Sequence, residues 1–150
     1  MEKTIYVNSA QEMIDLGIRI GKYLKPNMVI ALDGDLGAGK TTLTKGVAIA
    51  LGVKKIVNSP TFVIMKIYEG SLTLYHLDVY RTNDDEFELA EYFEAGGVSI
   101  IEWSSNIASL LPAGCLKLRI IDLGDNKRQV EVSSQDNYYD EVINNIWVKY

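Results

Sequence analysis

GDLGAGKT, residues 34–41, holds three glycines, the first and last with four residues between them, and then a lysine and a threonine. Gly34, Gly39, Lys40 and Thr41 meet the pattern G-x-x-x-x-G-K-[ST], and the flanks are those the pattern needs. MVIALDG at 28–34 is a short apolar run of the buried parallel-strand kind. A helical segment follows to about residue 51 and is stopped by Gly52. At average residue usage a chain this long contains the pattern by chance on the order of 0.5% of the time, so a plain glycine turn is the weaker reading. Glycine lets the backbone bend until the N–H groups of Asp35, Leu36, Gly37, Ala38 and Gly39 turn inward toward phosphate oxygens. The new helix adds unpaired amides and the positive end of its dipole. Lys40 offers a cation to the β- and γ-phosphates, the Thr41 hydroxyl a ligand for Mg²⁺, and Thr42 a hydroxyl on the α-phosphate side. A dinucleotide fingerprint starting at Gly37 would need glycine at 42, where Thr42 stands. The loop is read as a nucleoside triphosphate site.

The base and the reaction follow by elimination. The nearest thing to a guanine-reading NKxD is NKRQ at 126–129, and there is no DxxG, so ATP is favoured. A small-molecule kinase on this loop needs clustered arginines to clamp donor and acceptor phosphates. The four here, Arg19, Arg81, Arg119 and Arg128, are scattered. Water is then the better acceptor than a metabolite. Hydrolysis needs an acid beside the loop to hold Mg²⁺ or its waters, normally at the end of a buried strand. Glu102 ends VSII and Asp78 ends LTLYHL. SPTF at 59–62 offers Thr61 on a stiffened turn, in the place where such hydrolases carry a γ-phosphate-sensing threonine. His76, taken alone, reads as a packed or hydrogen-bonded residue rather than a base.

The remainder bounds the answer. One domain, 1–150, is expected from the length. A net charge of −5 gives no global basic footprint, so any nucleic acid would be held by a partner or by a local patch. Cys115 is the sole cysteine and sits in an apolar stretch, which reads as a small buried hydrophobe in a reducing cytoplasm. MEKTIYVNS has no signal-peptide h-region, and no apolar run nears the ~18–20 residues that span a bilayer. Strands are expected at 3–7, 28–34, 62–68, 72–80, 98–103, 115–123 and 128–134, the third and fourth forming a hairpin across Glu69-Gly70-Ser71. Ser9 and Glu12 form a capping box that opens a helix to about residue 24. Further helices are expected at 84–95, at 104–111 and through the apolar stripe Tyr139, Val142, Ile143, Ile146 and Trp147.

GDLGAGKTT, SPTF, HLDVYR (76–81) and IIEW, in that order and in so short a chain, closely resemble the bacterial TsaE (YjeE) family. The loop alone says only P-loop; HxDxYR with SPTF and IEW singles out the family, and the likeness runs from the first strand to about residue 132. The resemblance implies an α/β, P-loop NTPase-like three-layer fold with a central mixed sheet and flanking helices. It implies a weak Mg²⁺-dependent ATPase that supports repeated turnover of the TsaB–TsaD complex in the biosynthesis of threonylcarbamoyladenosine (t6A) in tRNA. By the same resemblance Lys40 and Thr41 grip phosphates and Mg²⁺, Glu102 is the metal-side acid, and Asp78 orients water or the metal shell. Thr61 belongs to the switch-like loop, Trp103 reports nucleotide binding, and Ser9 and Arg128 lie on the adenosine side. The competing readings are a nucleotide-gated regulatory module, whose turnover is incidental, and a small-molecule kinase.

Overall fold

In this computed structural model, residues 1–35, 37–58, 65–80 and 87–146 are described, Phe87 in its backbone alone. Leu36, the SPTF stretch with Thr61, Arg81, Asp84–Glu86 and Trp147 lie outside them.

The strand that leads into the glycine loop is β2, Val29–Gly34, and β1 is Glu2–Val7. Val29, Ile30, Ala31 and Leu32 are all buried, so β2 does not alternate; that is the pattern of a strand covered on both faces. It lies inside a seven-stranded sheet. The other strands are β3 (Met65–Tyr68), β4 (Leu74–Asp78), β5 (Val98–Glu102), β6 (Leu116–Gly124) and β7 (Lys127–Ser133). Their order is β1-β7-β6-β2-β5-β4-β3. The centre, β6-β2-β5-β4, is parallel, and antiparallel partners close both edges. The sheet is therefore mixed, as expected. The parallel register puts Leu32 and Asp78 on either side of Glu102, so three strand ends meet at one rim.

Helices α1 (Ala10–Lys22) and α2 (Lys40–Ala50) pack together. Their contact is backbone on backbone. A Cβ on Gly17 would stand 2.2 Å from the Leu43 carbonyl oxygen, and one on Gly46 2.1 Å from that of Ile14. Leu16, Ile20, Leu43 and Val47 join Met28, Ile30 and Leu32 in the larger core. Val29, Ala31, Leu77, Ile101, Ile107 and Cys115 form a second core around the residues that alternate with these along β2. The cysteine is the buried hydrophobe expected of it, and burial pushes its thiol pKa up.

The capping box forms with one change of partner. Ser9 Oγ accepts from the Glu12 amide at 3.1 Å, while Glu12 Oε2 accepts from Asn8 rather than Ser9, at 2.8 Å. The β3–β4 connection takes Glu69–Thr73, longer than a three-residue turn, and it sits on the end of α2, where the Ser71 amide donates to the Leu51 carbonyl at 2.7 Å. The β6–β7 turn is Asp125-Asn126, with φ of 52° and 66° as a two-residue hairpin of this hand requires. Residues Phe87–Glu94 are a 3₁₀ helix rather than an α-helix, and Ser104–Leu110 are two short 3₁₀ turns broken at Ile107, whose φ of −127° and ψ of 34° are not helical. The C-terminal stripe is core, with Tyr139, Val142, Ile143 and Ile146 buried, but its helix α3 is only Asp140–Asn144 after a 3₁₀ turn. Beyond its end Lys3 Nζ donates to the Ile146 carbonyl at 2.6 Å, and the Tyr139 hydroxyl accepts from the Val29 amide at 2.9 Å. Among the described residues no helix is long and apolar enough to cross a membrane.

Candidate functional site

Three features of the chain meet where β2 ends. The first is the glycine loop. Its turn is closed by the Ala38 amide donating to the Asp35 carbonyl at 3.0 Å. Gly37 and Gly39 have φ of 79° and 117°, values that a side chain would strain. Gly39 is also the N-cap of α2 and brings no side-chain acceptor, so the first-turn amides of Lys40, Thr41 and Thr42 have no side-chain cap. An uncapped N-terminus of an eleven-residue helix presents donors and positive potential to an anion.

The second is Lys40, which is only 5% exposed. Its Nζ donates to the Gly34 carbonyl at 2.6 Å and the Asp35 carbonyl at 3.0 Å, and lies 4.2 Å from the centre of the Trp103 ring. Burial drives its pKa below the ordinary lysine value; the charges of Glu102, Asp78, Asp33 and Asp35 oppose this but do not cancel it. The ammonium is held close but is short of solvation, which suits it to receive an anion.

The third is the carboxylate rim. Glu102 is 3% exposed, and His76 Nε2 stands 2.5 Å from its Oε2. Asp78 is half-buried beside it and accepts from the Tyr80 amide through Oδ1 at 3.0 Å. After Glu102 the chain turns sharply: Trp103 has φ 61° and ψ 37°, a left-handed conformation uncommon for a large side chain. That turn sets its ring over Lys40 and 4.9 Å from the ring of Tyr80. It also brings Ser104 Oγ to Asp33, donating at 2.6 Å, and Asn106 Nδ2 to the carbonyls of Val79 and Tyr80 at 2.9 and 3.0 Å.

On another side of the loop lies an open cavity of about 140 Å³, lined by Ser9, Met13, Gly39, Thr42, Asn126 and Arg128 among others. Arg128 is fixed there, its Nε donating to the Ala38 carbonyl at 3.0 Å and its Nη1 pairing with Asp122 at 3.1 Å. The Ser9 hydroxyl serves as the α1 cap and lines the cavity as well.

The structure thus gathers Lys40, Asp78, Glu102 and Trp103 at one rim, and Ser9, Thr42 and Arg128 around the neighbouring cavity. Thr41 sits half-buried in the first turn of α2, and Asp35 and Gly37 are exposed on the loop. Leu36 and Thr61 fall outside the described residues. Sequence reasoning passed over Asp33, Ser104, Asn106 and Asn126. Only Asp33 carried a signal, as the acid that ends the apolar run before the loop. Among the described residues no three His, Cys, Asp or Glu side chains gather as a metal cage. Mg²⁺ needs none, since it commonly takes one or two protein oxygens and completes its shell with water and phosphate. A hydroxyl and one or two carboxylates at an anion-accepting helix start fit that need.

A crystal structure of Bacillus subtilis YdiB superimposes with a TM-score of 0.87 at 36% identity, covering 97% of this chain and 94% of that one. A tRNA threonylcarbamoyladenosine biosynthesis protein TsaE from Bacillus subtilis is 47% identical over 121 residues, 79% of this chain and 77% of its own length. The protein of that name from Haemophilus influenzae is 31% identical over 150 residues, 93% of this chain and 94% of its own. The family model described as threonylcarbamoyl adenosine biosynthesis protein TsaE matches residues 7–130. With that span running from the end of β1 through the loop, both acids and most of β7, the chain belongs to the TsaE family.

Proposed function

We propose that this protein binds ATP with Mg²⁺ in the glycine loop, hydrolyses it, and by doing so supports repeated turnover of a TsaB–TsaD complex in t6A formation on tRNA. The observation that carries the ATPase reading is Lys40: a nearly buried ammonium, held by two loop carbonyls at the start of an uncapped helix, with Glu102 and Asp78 at the adjoining strand ends. The tRNA assignment comes from the names of the relatives.

In this reading the amides from Gly37 to Thr42 and the Lys40 ammonium bind the phosphates. Lys40 exchanges its carbonyl acceptors for phosphate oxygens, a replacement favoured by the poor solvation of its charge. Thr41 and Glu102 hold Mg²⁺, which when bound neutralises charge on the phosphates. Asp78 orients the attacking water, whose oxygen bonds to the γ-phosphorus as the bond to the ADP oxygen breaks. Thr61 belongs to the loop that senses the γ-phosphate. The cavity at Ser9 and Arg128 takes the adenosine side, where Arg128 acts as a fixed wall because its guanidinium is already paired. Trp103, in contact with Lys40, reports nucleotide by its fluorescence. The partner complex does the chemistry on tRNA, and this chain works in the cytoplasm beside it.

The test is Mg²⁺-dependent ADP release by the purified protein, alone and with TsaB–TsaD. Lys40→Ala should abolish nucleotide binding or nearly so. ATP bound but never hydrolysed under either condition would refute the ATPase reading and favour a nucleotide-gated module. ADP formation that depends on an added metabolite would favour a kinase.

A further inference from the structure

His76 is the only histidine in the chain, and it is fully buried in β4. Its Nε2 meets Glu102 Oε2, while its Nδ1 is buried with no hydrogen-bond partner among the described residues. A ring nitrogen with nothing to donate to keeps its lone pair, so the hydrogen belongs on Nε2 and is donated to the carboxylate. As packing alone the residue is a poor choice, since an apolar side chain would fill the space without orphaning Nδ1. The parallel register explains how it reaches Glu102. His76 pairs with Ile100 and Asp78 with Glu102, so the histidine lies one step down the same face of β4 as Asp78. With Oε2 taken, Oε1 is the Glu102 oxygen left for work at the site. Among the carboxylates, Glu102 also acts most strongly on Lys40.

We propose that His76 is a positioning residue for the hydrolytic reaction: its Nε2–H bond to Oε2 fixes the Glu102 carboxylate and leaves Oε1 as the working oxygen. The inference rests on the ATPase reading above. It assigns His76 no contact with nucleotide or water. Because the carboxylate is nearly buried, losing this donor leaves it unpaired and free to turn toward Lys40.

The single histidine makes the test clean. Ring ¹⁵N NMR of the wild-type protein, free of nucleotide and Mg²⁺, reads one residue, and the expected spectrum is that of the Nε2–H tautomer. Steady-state ATPase and Trp103 fluorescence titration are then compared for His76→Leu and His76→Gln. Leucine removes the donor, and glutamine can place an amide N–H near the same oxygen. The Leu variant should lose turnover by on the order of 10–100-fold, as outer-shell partners typically do, with nucleotide affinity little changed. The Gln variant should recover most of the rate. A ring with its hydrogen on Nδ1 and none on Nε2 would overturn the proposal. So would a Leu variant turning over like wild type, or both variants losing rate and affinity in step, as a purely structural residue would. If the Leu variant does not fold, the wild-type spectrum and the rate of the Gln variant still decide. Wild-type protein that shows no ATPase activity overturns the reading beneath; normal wild-type activity with any of the contrary results overturns His76 alone.

Discussion

Replacing Lys40 with methionine should make the nucleotide-free protein more stable while removing its response to ATP. The two opposing contributions can be weighed from the geometry. Methionine has nearly the length of the lysine stem and no charge. The substitution gives up two charged hydrogen bonds, to the carbonyls of Gly34 and Asp35, and the contact with the Trp103 ring. Charged hydrogen bonds are worth about 1.5–3 kcal/mol each, but Gly34 is half-buried and Asp35 exposed, so water replaces the lysine on both oxygens. What is relieved is the desolvation of an ammonium that is 5% exposed, a cost of several kcal/mol for a buried ion. The lowered pKa of Lys40 gives the sign: taken together, its surroundings disfavour the charge. The net gain should be about 1 kcal/mol, or roughly 2–4 °C in Tm for a chain of this size. It should depend on pH. The unfolded chain holds the lysine proton more tightly than the folded one, so the wild-type penalty is complete below the depressed folded pKa and fades as pH rises from there toward 10.5. The assay is thermal unfolding in EDTA on nucleotide-stripped protein, repeated with Mg²⁺ and ATP. At a ligand concentration near 100 times Kd, wild type should gain about 2.7 kcal/mol, and the variant nothing. A variant that melts several degrees below wild type without ligand would show that the loop carbonyls more than repay the burial of Lys40. The reasoning about its poor solvation would then be wrong.

The remaining predictions address the acids, the helix contact and the reporter. Glu102→Gln and Asp78→Asn should each keep ATP bound, by equilibrium dialysis, while ADP release falls at least about 100-fold; a double variant with wild-type turnover would remove both acids from the mechanism. Gly46→Ala should destabilise by about 3 kcal/mol or more, because its Cβ would meet backbone at 2.1 Å with no side chain able to give way; urea denaturation measures this, and an unchanged midpoint would contradict the α1–α2 contact. Trp103 fluorescence should change on adding ATP to wild type and stay flat in Lys40→Ala.

What could be read from the sequence was whatever lies close along the chain. β2 declared itself because four consecutive apolar residues mark a strand with both faces buried, and GDLGAGKT because glycines and a lysine at fixed spacing have few other uses. Ser9 and Glu12 announced the start of α1 three residues apart. The site's other connections depend on register. His76 and Glu102 are 26 residues apart and Asp33 and Ser104 are 71 apart; each pair meets only because β4, β5 and β2 align as they do. The left-handed turn at Trp103 could not be foreseen, since tryptophan has no local preference for it and tertiary contacts with Lys40 and Tyr80 accompany it. The sequence marks helices at 84–95 and 104–111, but not the tighter 3₁₀ winding of 87–94 or the break at Ile107, because both helix types bury residues three apart.

The proposed role, repeated turnover of a partner complex, is open to direct measurement. The direct measurement uses purified TsaB–TsaD, threonylcarbamoyl-adenylate and substrate tRNA, and counts modified tRNA per complex with and without this protein and ATP. Product should stop near one per complex in its absence and rise well above one in its presence, with Lys40→Ala failing to raise it. Equal product with and without the protein would contradict the role proposed for this chain.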